Sequence, residues 1–303
     1  MRRLPRQVPR RGQAIATALA ALFLLLSFAG AASAAEADTV ARGAYLASAA
    51  GCENCHTDTA QGGQRYAGGP ALSIPFGTFY GPNITADPDT GIGRWTDAQF
   101  LEALRDGVRA DGANLFPAFP YPSFTGITDA DALAIKAYLF SLPPVRHESR
   151  SQDVWFPFSW RSLVSIWKLL FLTEGPFQPL ADRSAEYNRG AYLVTVLGHC
   201  GECHTPRNWF GAMEADAFLA GTSAGPDGKK VPNITPDQAT GIDKWSEQDI
   251  VNLLKDGQTP DFDFVGGAMS AVVNDTAQLT DADRKAIAVF LKSVPAKPFG
   301  GKG

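Results

Sequence analysis

All four cysteines of this 303-residue chain fall in two copies of one pattern. The first is Cys52-x-x-Cys55-His56, within GCENCH; the second is Cys200-x-x-Cys203-His204, within HCGECH. Two thiols three positions apart can each add, S–H across C=C, to the two vinyl groups of one haem. The adjoining imidazole then lies under the iron and supplies a nitrogen ligand. The spacing therefore assigns Cys52, Cys55, Cys200 and Cys203 to two covalently bound haem c groups, and His56 and His204 to their irons. A single Cys-x-x-Cys would also suit a dithiol redox pair or half of a zinc site. The redox pair calls for a βαβ setting, which the pattern of this chain does not offer. A four-cysteine zinc site would leave both histidines without a role.

The opposite face of each iron separates the halves. In VGGAMSAVV, Met269 stands between the middle and last helices of the second half, where a thioether sixth ligand belongs, and Met raises the potential of a haem. Met213, soon after the second motif, is the weaker candidate. An offset of 150 carries Phe119, in LFPAFPYPSF, onto Met269, and phenylalanine cannot bind iron. Apart from Met1 the first half holds no methionine. Tyr121 and His147 are the substitutes to consider, each with an ordinary reading as a packed or surface residue. His199, tied to the second motif, is a poorer one.

These residues sit in a duplicated frame. RGAYL recurs at Arg42 and Arg189, PNIT at Pro82 and Pro232, and TGIGRW ending at Trp95 matches TGIDKW ending at Trp245. TDADALAIKAYLFSLP from Thr128 matches TDADRKAIAVFLKSVP from Thr280. Each copy reads as a short helix into the cysteine motif, then a long Gly/Pro/Asn/Asp loop. A helix capped by Thr96 or Ser246 and closed by Gly107 or Gly257 follows, and a last helix ends the copy. That last helix carries the stripe Ile135, Tyr138, Leu139, Leu142, repeated as Ile287, Phe290, Leu291, Val294. The fold class is mainly α, short helices and long loops wrapped around covalent haem, which serves as the missing core. The divisions are 1–35, 36–145, 146–188 and 189–303. Residues 1–35 combine Arg2, Arg3, Arg6, Arg10 and Arg11 with an apolar run and ASAA, and read as an export signal, hence a periplasmic protein. The bridge, 146–188, is rich in aromatics, and a helix is expected over Ser159–Thr173. It reads as packing between the domains or, more sharply, as a surface for a partner or for peripheral membrane association.

Formal charge is −4, with 27 basic and 31 acidic side chains. Without the five signal arginines it becomes −9, which excludes nucleic acid as a partner. No Ser-His-Asp set and no phosphate-binding glycine loop occurs; Gly62–Gly63 and Gly68–Gly69 read as loop.

RGAYLVTVLGHCGECHTPRN, PNITPD…TGIDKWSEQDIVNLLKDG, FPFSWRS…IWKLLF and LFPAFPYPSFTGITDADALAIKAYLFSLPPV together resemble the cytochrome c subunits of membrane-bound alcohol and gluconate dehydrogenases. The resemblance covers nearly all of the chain beyond the signal. It implies two tandem cytochrome c domains and electron transfer from a dehydrogenase toward a quinone, an oxidase or another cytochrome of the respiratory chain. Those subunits usually carry three haem domains, against two here, and a Met where Phe119 stands. The alternative is a haem enzyme with an open iron position on the first haem, acting on peroxide or a sulfur oxyanion.

Overall fold

The computed structural model describes residues 35–225 and 228–301. The arginines and apolar run of the expected signal lie outside the described residues. The first half contains α1 over residues 35–49, α2 (Cys52–His56), α3 (Asp97–Asp106), α4 (Tyr121–Phe124) and α5 (Asp129–Ser141). The bridge carries α6 (Arg161–Phe171). The second half follows with α7 (Ala185–Tyr192), α8 (Gly201–His204), α9 (Glu247–Asp256), α10 (Ala268–Thr276) and α11 (Asp281–Ser293). The expected mainly-α architecture is what forms. Among the described residues no helix is long and apolar enough to cross a membrane.

The caps behave as the sequence implies. Thr96 Oγ1 accepts from the Gln99 N–H at 3.2 Å while Gln99 Oε1 accepts from the Thr96 N–H at 3.0 Å. Ser246 and Asp249 repeat this reciprocal box at 3.1 and 2.8 Å, satisfying donors that a helix start leaves orphaned. The repeated RGAYL has a packing reason. α1 crosses α5 at Gly43, where a Cβ would stand 1.9 Å from the Ala134 carbonyl oxygen. α7 crosses α11 at Gly190, where a Cβ would stand 1.9 Å from the Ala286 carbonyl oxygen. Only glycine allows these crossings.

The Arg and Tyr of the same motif build the junction between the halves, and they do so twice. Arg42 donates to Asp131 at 2.5 Å, and Tyr192 of the other half donates to the second oxygen of Asp131 at 2.7 Å. Arg189 donates to Asp283 at 2.6 Å, and Tyr45 donates to Asp283 at 2.6 Å. Each tyrosine oxygen also lies against the N-cap amide of the opposite last helix, Thr128 or Thr280. The halves are thus joined by equivalent contacts in both directions, a pseudo-two-fold arrangement.

Two elements were not expected: the helix α10, in a stretch that reads as a loop between the middle and last helices, and a small sheet. Ala71–Ile74 (β1) and Gly77–Tyr80 (β2) form an antiparallel hairpin, with Ile74 opposite Gly77. Asp153–Val154 (β3) adds to β2, with Asp153 opposite Thr78. Four-residue strands are too short to show an alternating pattern. The start of the bridge therefore belongs structurally to the first half. Gln152 reinforces this by bracketing the Tyr80 backbone at 2.8 and 3.0 Å. The helix expected over Ser159–Thr173 is two residues shorter at each end.

Candidate haem sites

The two histidines are held alike. His56 Nδ1 lies 2.7 Å from the Pro82 carbonyl oxygen and His204 Nδ1 lies 2.9 Å from that of Pro232. A carbonyl only accepts, so each Nδ1 carries the proton and each Nε2 keeps its lone pair for a metal. Burial pushes both imidazoles below their ordinary pKa, which keeps them neutral, as ligation requires. The repeated PNIT explains the backing. Asn83 donates to the Val145 carbonyl at 2.8 Å and accepts from the Thr85 N–H and hydroxyl at 3.0 and 2.8 Å. Asn233 does the same with Lys297 at 2.7 Å and Thr235 at 2.9 and 2.8 Å. Each motif lashes the loop behind the histidine to the chain that follows the last helix.

The cysteines form no disulfide. Burial first, then the neighbouring thiol, pushes Cys52 and Cys200 up to about 12, so they remain S–H groups able to add across a vinyl. Among the described residues no three His, Cys, Asp or Glu side chains converge as a metal cage. The donors present fit haem c: paired thiols beside an imidazole with a fixed tautomer.

The opposite faces diverge. Leu115 and Val265 occupy matching positions, donating to the Gly107 and Gly257 carbonyls at 2.7 and 3.0 Å. From there to the caps Thr128 and Thr280 the second half has two more residues, and these complete the helix α10. Met269 stands half-buried in its first turn. The first half has only the single turn α4. Phe119 precedes it, half-buried, with its ring 5.7 Å from that of Phe124. The offset linking Phe119 to Met269 thus holds up to the loop, and the helical turn that presents Met269 has no counterpart. Met213 pairs with Arg207 in the loop directly after α8.

Tyr121 is fully buried. Its ring packs on Gly107 and edge-on to Trp167, and its buried hydroxyl has no hydrogen-bond partner among the described residues. Burial, helped by the field of Glu202, raises its pKa and keeps it a neutral phenol. His147 is exposed. It lies against Gly68, whose N–H donates to the His56 carbonyl, so it belongs to the His56 side and not to the opposite face. His199 is not confined to the second motif. At φ 36 it occupies the position of Gly51 (φ 59), and its ring packs 5.4 Å from Phe124 of the first half.

The two attachment loops meet at the pseudo-two-fold axis. Asn54, inside the first motif, donates to Asp275 of α10 at 2.5 Å. At the equivalent position Glu202 accepts from Ser123 of α4 at 2.8 Å. A Cβ at Gly198 would lie 3.8 Å from the Ala49 carbonyl oxygen, and the field of Cys55 reaches Cys203. Sequence reasoning missed these crossing pairs. The one available signal was that Tyr45/Tyr192 and Asp131/Asp283 recur at fixed places in both repeats.

Comparison with known proteins agrees with this geometry. Residues 40–143 match the cytochrome c family model. The chain is 43% identical over 264 residues to the diheme cytochrome c-type protein of Cereibacter sphaeroides, covering 84% of this chain and 86% of that one. It is 43% identical over 266 residues to the fructose dehydrogenase cytochrome subunit of Gluconobacter japonicus, covering 87% of this chain and 54% of that one. It is 42% identical over 291 residues to the alcohol dehydrogenase (quinone), cytochrome c subunit, of Gluconacetobacter polyoxogenes, covering 92% and 61%. The chain thus spans little more than half the length of the two dehydrogenase cytochromes. With histidines, thiols and similarity in accord, the chain belongs to the c-type cytochromes, the electron-transfer family that includes cytochrome subunits of dehydrogenases.

Proposed function

We propose that the chain is a periplasmic dihaem electron carrier. It takes electrons singly from a partner dehydrogenase, periplasmic or membrane-bound, and hands them toward the respiratory chain through a quinone, an oxidase or another cytochrome. The approach of the two motif loops at the junction supports this reading: Asn54–Asp275 and Ser123–Glu202 tie each motif to a helix of the opposite half, and Gly198 lies against the Ala49 carbonyl, so electrons could pass between the two cofactors within one chain. Haem iron, when bound, supplies a one-electron ferric/ferrous couple. His56 and His204 would ligate the irons through Nε2, with the Pro82 and Pro232 carbonyls fixing the rings through Nδ1. The four thiols would anchor the groups, and Met269 would supply a thioether in the second half. In the first half Phe119 offers no ligand, so the two sites are unlike.

Coulometric titration of the matured protein should show uptake of two electrons per chain in two unequal steps. The Cys52→Ala and Cys200→Ala forms should lose one step each. Uptake of a single electron by the wild type would sink the reading. Carbon monoxide binding to one haem of two would locate the open position, and turnover of peroxide or a sulfur oxyanion at that haem would favour the enzyme alternative.

A further inference from the structure

In the first half the hairpin between α3 and α4 is covered. Its arms meet at Val108 and Asn114, and α6 lies across them. Arg161 donates to the Asn114 carbonyl at 2.5 Å, and Lys168 donates to the Gly107 carbonyl at 3.0 Å and to Asn114 Oδ1 at 2.7 Å. Asn114 Nδ2 donates to Ser165 at 2.8 Å, and the Arg161 guanidinium lies 4.5 Å over Phe116. Both cations of the helix are turned inward to backbone and ring.

The second half builds the same hairpin, with Gln258 opposite Phe264. Among the described residues no element lies across it. Phe264 stands where Asn114 stands, so its side chain takes the direction that in the first half meets α6; it is 68% exposed, and Phe262 beside it is 79% exposed. Gly266 and Gly267 replace Phe116 and Pro117, and a Cβ at either would meet nothing within 4 Å. Two exposed carboxylates, Asp261 and Asp263, alternate with the phenylalanines. In the first half the equivalents are Asp111, already paired with Arg109, and Ala113. An adjacent pair of exposed aromatics on an open loop marks an interaction surface rather than a solvated one.

We propose that the hairpin of residues 258–267 is a docking site for an amphipathic helix supplied by another protein, with apolar side chains and Lys or Arg on the face that seats. The covered hairpin of the first half is the template, since α6 has that composition and seats on the same backbone. Charge points the same way: the Asp261 and Asp263 rim attracts cations and is repelled by an anionic lipid surface. Among the described residues a second copy of this chain offers no free helix of this kind, because its own α6 is already seated. The hairpin leads into α10 and Met269, so a helix seated here sets its protein beside the second haem site. That consequence rests on the electron-carrier reading; the docking itself does not.

The test uses the mature protein carrying its haems and a synthetic peptide of residues 159–173, SWRSLVSIWKLLFLT, labelled at its N-terminus and followed by fluorescence anisotropy. Saturable binding is expected. The double variant Phe262→Asp/Phe264→Asp should weaken it about tenfold or more, whereas Trp209→Asp, on a different exposed surface, should not. A peptide with Arg161→Gln and Lys168→Gln should bind more weakly. Should the double variant fail to fold, Asp261→Lys/Asp263→Lys must show the same loss. Equal binding by the wild type and these variants overturns the proposal. So does self-association of the wild type, seen by sedimentation velocity and abolished in the double variant, because the occupant is then a second copy. Binding to phosphatidylglycerol vesicles that depends on Phe262 and Phe264 overturns it in favour of lipid. Because the peptide readout needs no electron exchange, its failure is separable from failure of the proposed function.

Discussion

Asn83 and Asn233 make matching hydrogen bonds to matching partners, and the imidazoles they back differ by 0.2 Å in their distance to proline. Across the cofactor position the likeness ends, with Phe119 before a single turn in one half and Met269 in a full helix in the other. α6 covers the first hairpin, and among the described residues nothing covers the second. The contrast shows what duplication leaves free to change. The side that fixes the imidazole is tied to the segment after the last helix of its half through buried Asn and Thr, where loss of one hydrogen bond strands several groups. The opposite side is a loop, which tolerates two residues more or fewer. Unlike ligation can therefore arise without disturbing attachment.

The largest test of this comparison removes attachment from one half at a time. On the proposed dihaem reading, intact mass after denaturation should give two covalent haems for the wild type and one for each of Cys52→Ala/Cys55→Ala and Cys200→Ala/Cys203→Ala. Loss of both haems from either variant would show that the halves do not mature independently. Next in size are the helix crossings. Gly43→Ala and Gly190→Ala each force a Cβ into a carbonyl oxygen and should destabilise by about 3 kcal/mol or more, in thermal melts, by similar amounts. A large inequality would break the pseudo-symmetry. Met269→Ala should lower the potential of one redox step and leave the other, since the thioether favours ferrous iron. Phe119→Met should raise the other step only in part, because the turn that presents Met269 is absent from the first half.

A smaller effect distinguishes the two crossing contacts. Burial, against the help of Asn54, pushes the Asp275 carboxyl up to about 6. Its bound proton stabilises the folded chain; that contribution is whole below the unfolded pKa near 4 and is lost as pH climbs through about 6. Because the group is partly exposed, about 1 kcal/mol is at stake. Asp275→Asn should flatten the stability profile between about pH 4 and 6, while Ser123→Ala should shift the whole profile without changing its slope there. The smallest effect is expected for His147→Ala, which should leave the spectrum of the first haem unchanged and stability within about 0.5 kcal/mol. A spectral change there would return His147 to the list of ligands.

The capping boxes at Thr96 and Ser246 and the mainly-α class were legible because each rests on local spacing. The hairpin Ala71–Tyr80 was not legible. Its four-residue strands give no periodicity, and its third partner, Asp153, lies more than 70 residues away. The unlike distal loops were half legible. An equal offset placed Phe119 on Met269; the step from an offset of 150 at Gly107/Gly257 to 152 at Thr128/Thr280 lay in the sequence, but the helix α10 that the longer stretch forms did not. The sequence also left His199 beside its own motif; the fold turns it across the junction onto Phe124, because contacts between halves have no signature in either half alone.

The reciprocal junction has a consequence for an isolated repeat. Residues 36–145 carry Tyr45 and Asp131 together, and the second half carries Tyr192 and Asp283 together. Each half thus owns both the donor and the acceptor of the contact it makes with the other. A surface that is complementary to its own rotated image is self-complementary, which is the defining property of an isologous interface. A lone haem-bearing repeat would be driven to pair with its own copy, and the covalent chain through α6 converts that symmetric homodimer into one molecule whose two ends are free to become different.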